Sequence, residues 1–173
     1  MFKIVSITLF CFFLVAGNCY SQEKIVFIDI NYIFKNSNVG KDLNDQIVKK
    51  DKELKLEASN FRSVIDEERK KILSQKNVLS VDEYNKKVKI LEEKINAKNS
   101  ELTLKNKEFL LFKKKIETLF SKQLNSIIEE YSLKNSINLI LNKENLLMAK
   151  KNLDITQQVF SIFNEKVKEI NLN

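Results

Sequence analysis

The sequence predicts an α+β fold, mostly α, in which a long antiparallel coiled-coil helical hairpin projects as an arm from a small β-containing body. Three observations predict it. Apolar residues recur at alternating spacings of three and four from Val81 to Leu119, a heptad seam held for more than five heptads. Short β-rich apolar runs stand near the two ends of the mature chain, at 24–30 and 137–150, where strands are expected. The 173 residues include no Pro and two Gly, Gly17 and Gly40, so nothing breaks a long helix in between.

Taken in order, Lys3 precedes an apolar run from Ile4 to Ala16. A spanning helix needs ~20 such residues, so this run is too short for one. A basic start, a short apolar stretch and small residues after it read as a secretory signal over residues 1–21. Cleavage after Ser21 places Cys19 and Ser21 at the minus-three and minus-one positions. The alternative is a lipobox at Val15–Cys19, with lipid anchoring through Cys19, although Asn18 fits that pattern poorly. Neither route leaves a cysteine in the folded part, so no disulfide is needed.

Lys24 to Ile30 reads as a strand covered on both faces. Residues 31–38 suggest one helical turn and a loop, and Gly40 suggests a turn of positive φ. From Lys41 to about Lys76, Leu43, Ile47, Leu54, Ala58, Phe61, Ile65 and Ile72 mark a narrow-striped amphipathic helix. Periodicity weakens over Asn77–Leu79, and Ser80 with Glu83 supplies a capping box for a second helix. Its seam carries two lysines, Lys98 and Lys105, which weaken tight pairing and can fix register. Leucine at both is expected to tighten the arm. The helix should run to Lys134, ~80 Å for about 54 residues.

A break of three to four residues makes the two helices an antiparallel hairpin, the second extending past the start of the first. Beyond Lys134, Ile137–Leu141 and Leu146–Ala149 read as a two-stranded hairpin. Asp154 or Thr156 can cap a closing helix whose stripe is Val159, Ile162, Phe163, Val167 and Ile170. The division expected is a signal over 1–21, a body from 22–40 and 135–173, and an arm over 41–134. Three strands are too few for a stable open sheet, which implies self-association.

Composition narrows the function. With no His, and Cys only at positions 11 and 19, there is no Ser-His-Asp or Cys-His triad, zinc finger or thiol chemistry. One Gly after residue 17 rules out a Gly-rich phosphate loop. These absences argue against an enzyme, and no catalytic, cofactor-binding or metal-ligating residue is expected. The mature chain retains 29 basic against 23 acidic residues, a net charge of +6. The surplus is spread along the chain, with Lys113–Lys115 as its one notable run. Arg62 and Arg69 are the only arginines, which does not suit sequence-specific nucleic-acid reading. Attraction to an anionic membrane surface or an acidic polypeptide is compatible with it.

Lys24-Ile25-Val26-Phe27-Ile28-Asp29-Ile30, then Val39-Gly40-Lys41, then Ile137-Asn138-Leu139-Ile140-Leu141 before Asp154-Ile155-Thr156-Gln157-Gln158-Val159, resemble the end motifs of the Skp/OmpH family of periplasmic chaperones. The resemblance covers the whole mature chain, and its specific part is these two ends and their order. It implies a homotrimer whose pooled strands form a small barrel, with three helical hairpins around a cavity. It further implies a soluble periplasmic protein that holds unfolded outer-membrane proteins in that cavity without ATP, and no catalytic residues. In such a protein Phe61, Phe109, Phe112 and Phe120 are candidates for client contact, although Phe109 and Phe112 also occupy seam positions. Gly40, Lys41, Asp154, Ile155 and Thr156 are the motif positions. The bias to lysine over arginine and the lipobox-like Cys19 depart from the family pattern. An alternative reading is a lipid-anchored coiled-coil spacer of the cell envelope.

Overall fold

The structure, a computed structural model, describes residues 23–172; the expected signal over 1–21, its cleavage after Ser21 and the anchoring alternative at Cys19 lie outside the described residues. The elements are β1 (Ile25–Ile28), α1 (Ile30–Asn36), α2 (Asn38–Ser74), α3 (Val81–Lys134), β2 (Leu139–Asn142), two 3-10 turns (Lys143–Asn145 and Lys151–Leu153) and α4 (Thr156–Lys166).

The first strand is shorter than the run 24–30 because Asp29 leaves it to cap α1. Its carboxylate accepts the Tyr32 N–H at 2.8 Å, satisfying a donor that the first helical turn cannot pair internally. The expected single turn and loop at 31–38 is therefore corrected to a seven-residue helix. Ser37 ends α1 and starts α2 at once, its Oγ accepting the Gly40 N–H at 3.1 Å. Consequently α2 begins at Asn38, earlier than Lys41.

The expected two-stranded hairpin at 137–150 is also corrected. Only its first run is a strand, and β2 pairs in parallel with β1, with Ile25 opposite Leu139 and Ile28 opposite Asn142. Parallel strands need a long crossover, and the helices from α1 to α3 supply it. Asn142 then accepts the Glu144 N–H and opens a 3-10 turn, so the chain does not reverse alongside β2. Leu147 and Met148, expected in the second strand, stand 107% and 90% exposed. On the other side of β1 the Phe27 carbonyl accepts the Ile155 N–H at 3.0 Å.

The long helices follow their periodicity. The end of α3 at Lys134 and the reciprocal capping box of Ser80 and Glu83 are as expected. The connection spans six residues, 75–80, rather than three to four. Gln75 closes α2 by donating to Ile72 and Leu73, and its carbonyl accepts the Val78 and Leu79 N–H groups, so one further turn forms before the chain reverses.

One core joins β1 and the four helices, with Ile140 of β2 packed against it. Val26, Ile28, Ile33, Val39, Leu43, Ile116, Phe120, Leu124, Ile127, Ile155, Val159, Phe163 and Val167 are its buried members, each worth roughly 1.5–3 kcal/mol when a large aliphatic or aromatic side chain leaves water. The core reaches into the roots of both arm helices, to Leu43 and Ile116. Farther out the arm is two helices thick, with Ile65 and Leu91 its buried apolar residues among those described. The last turns of α3 run past the start of α2 and meet α4, where Glu130 bonds Lys134 and Lys166.

Candidate functional site

At the arm's root, Gly40 does not form a turn of positive φ; no described glycine has one. It lies in the first turn of α2, where a Cβ would sit 1.8 Å from the Phe34 carbonyl oxygen and 2.7 Å from Ser37 Oγ. Glycine is needed here for close approach of two backbones. The neighbouring Lys41 is exposed. Across the junction Asn164 on α4 accepts the Asn38 N–H at 3.0 Å, so the first turn of α2 is held from two sides.

The Asp154–Thr156 segment forms a clasp. Asp154 accepts the Thr156 N–H at 2.9 Å, but it is not the helix cap expected: Ile155 holds the N-cap position of α4, and no side chain caps that helix. Ile155 is buried and bonds β1 through its backbone. Thr156 does not cap its own helix; its buried hydroxyl accepts the Asp29 N–H at 2.9 Å, at the end of β1. Asp29 also binds Lys143 at 2.9 Å. Burial pushes the Asp29 carboxyl up, but the hydrogen bonds from Lys143 and the Tyr32 N–H outweigh it and hold the group below its usual range. Motif residues 127 positions apart in sequence thus fasten β1, α1 and α4 together.

Along the arm, the expected seam residues of α3 from Tyr84 to Leu119 are half-buried or buried, whereas Val81, expected to open the seam, is corrected: it stands 76% exposed. Phe61, Phe109 and Phe112 are half-buried in the groove between the helices. The Lys50 ammonium lies 4.6 Å from the Phe112 ring centre and that of Lys113 lies 5.0 Å from Phe109, both within cation–π range. Phe120 is corrected: it is 3% exposed in the body core, edge-on to Phe34 and tilted against Phe163. It therefore has no surface to offer a partner.

Lys98 and Lys105 converge on one acceptor. Both bond Glu57 Oε1 of α2 at 2.6 Å, and both also bind Glu101 on α3, Lys105 at 2.7 Å and Lys98 at 3.0 Å. Hydrogen bonds from Lys105 and then Lys98 hold the Glu57 carboxyl down at about 2. The same two lysines lower Glu101, while Glu57 raises Lys98 and Glu101 raises Lys105. The seam is thus crossed mid-arm by a four-residue ionic clamp. Sequence reasoning found its lysines and missed its glutamates. Glu101 was findable, lying three residues after one lysine and four before the other. Glu57 required the register of the hairpin.

Elsewhere the arm offers open grooves, one of about 200 Å³ near its tip lined by Ile72, Ile90 and Leu91 with Lys71, Lys87 and Lys94 among its rim. No group of His, Cys, Asp or Glu suited to a metal occurs among the described residues, and none of the described helices is long and apolar enough to cross a membrane. The arrangement can bind through extended surfaces of aliphatic side chains and ammonium groups.

The model of the family described as outer membrane protein (OmpH-like) matches residues 24–162. Comparison with curated proteins gives no match. Among solved structures, one described as an OmpH-like outer membrane chaperone from Caulobacter crescentus CB15 is 20% identical, covers 87% of this chain and 89% of its own, and has a TM-score of 0.75. At that identity the likeness is one of fold.

Proposed function

The chain belongs to the OmpH-like family of outer membrane proteins, and from that premise we propose that it is a chaperone of the periplasm. Its finer role, in this reading, is that of a non-enzymatic, ATP-independent holdase. It assembles as a homotrimer and keeps unfolded outer-membrane proteins soluble in the cavity between its helical arms.

The observation that carries the reading is the mismatch between arm and body. A two-helix arm tens of ångströms long rests on a body with a single two-stranded sheet. Two strands are marginal alone, and large apolar residues stay uncovered on or beside the sheet: Ile25, Leu139, Leu147 and Met148. Further copies of the chain would cover them and hold several arms around a common space. The arms supply many weak apolar and cationic contacts without a tailored pocket, which suits an unfolded client.

Native mass spectrometry of residues 22–173, alone and with a urea-denatured outer-membrane β-barrel protein on dilution, tests both parts. The expected result is a three-chain complex carrying one soluble client. A stable monomer with the client precipitated would exclude the proposal.

A further inference from the structure

We propose that the client is held along one line of α3, the aliphatic row Ile90, Ala97, Leu104 and Leu111; this rests on the chaperone reading above. All four face solvent, with Ile90 at 55%, Leu104 at 62% and Leu111 at 61% exposure. They recur every seven residues, about 10.5 Å apart. Such spacing drifts by only ~20° per heptad on a straight helix, so the row stays on one side of the arm for ~30 Å. None belongs to the seam, which occupies different heptad positions. Toward the tip the row opens into the groove that Ile90 shares with Ile72 and Leu91.

The row's dimensions select its occupant. A second helix would need two apolar residues per heptad to bury a seam, and this row offers one. That disfavours another arm as its partner. A membrane surface needs a broad apolar face, and this row is one residue wide. An extended chain can engage separate aliphatic points through occasional apolar side chains.

Charge then specifies the chain. At positions three and four residues from the row, Lys86, Lys87, Lys107, Lys114 and Lys115 lie outside any ion pair among the described residues, against Glu93 and Glu108; Lys87 and Lys115 keep their charge while donating to the neutral Gln75 side chain and the Leu172 carbonyl. Glu101 is already neutralised by Lys98 and Lys105. The complementary partner is an unfolded polypeptide with apolar residues interspersed among carboxylates. The aromatic residues of the groove make no such surface because they are partly covered by the partner helix.

The test compares residues 22–173 with I90S/L104S/L111S and with V48S/L56S, which removes two equally exposed residues of α2. The probe is a urea-denatured β-barrel protein of net negative charge, followed by light scattering on dilution and by fluorescence anisotropy at low and high salt. The row variant should bind about tenfold more weakly or worse, with wild-type helicity and assembly mass. The α2 variant should bind as wild type, and salt should weaken both. Equal loss in the two variants, or undiminished capture by the row variant beside a functional wild type, would overturn the row. A changed assembly mass in the row variant would overturn it too, by making the row a contact between copies. A wild-type chain that captures nothing would remove the chaperone reading and the row with it.

Discussion

At Gly40 a single methyl group would meet the Phe34 carbonyl oxygen at 1.8 Å. Backbone cannot yield there without separating α1 from α2, so Gly40→Ala should lower stability by about 3 kcal/mol or more, read from urea unfolding followed by circular dichroism. Thr156 gives a subtler case. Removing its hydroxyl in Thr156→Val leaves the Asp29 N–H without its acceptor, a loss of about 1–2 kcal/mol, whereas Thr156→Ser should restore most of it. Ser136 has φ of 50° at the end of α3, a conformation that suits glycine. Ser136→Gly should therefore raise stability, by about 0.5–1 kcal/mol; a lower urea midpoint would contradict this.

At the scale of the helical arm the ionic clamp decides behaviour. Glu57 is held at about 2 against an ordinary value of 4.5. A depressed folded-state value means that its contribution is present above 4.5 and is lost as pH falls from there through about 2. Arm melting should thus decline over that interval, and Glu57→Gln should flatten its share of the decline; an unchanged slope in nuclear magnetic resonance or calorimetric titration would exclude it. The side chains are about a third exposed, so salt should weaken the clamp as well. The structure also alters what leucine at both seam lysines should do. Lys98→Leu with Lys105→Leu strips Glu57 and Glu101 of their cations beside an apolar seam, offsetting the gained packing. The expected tightening requires Glu57→Leu in the same chain, and the triple variant should melt higher than the double.

For the whole molecule, the exposed apolar residues of the body point to stability shared between chains. If copies cover Leu147 and Met148, melting temperature should rise with protein concentration, and L147S/M148S should reduce the assembly mass under dilution. A concentration-independent transition would separate folding from assembly. The core includes Leu43 and Ile116, so the arm's root is bonded into the body and only the stretch beyond it stands as two helices.

The sequence by itself determined the helical arm. Its seam beyond Val81, the capping box at Ser80 and the end at Lys134 are local signals, since heptad spacing and caps depend on neighbours within a few residues. The end motifs likewise carried the family resemblance. Tertiary structure alone decided how the ends meet. Whether Leu139–Asn142 pairs with the run after it or with β1 depends on a partner more than a hundred residues away, and the parallel choice turned the expected hairpin into a strand and a 3-10 turn. The same holds for Phe120, whose heptad neighbourhood marks an arm residue but whose surroundings are Phe34 and Phe163. Glu57 became part of the clamp only once the hairpin's register set it opposite Lys98 and Lys105. Periodicity specifies which face is apolar; only the packed chain specifies what lies against that face.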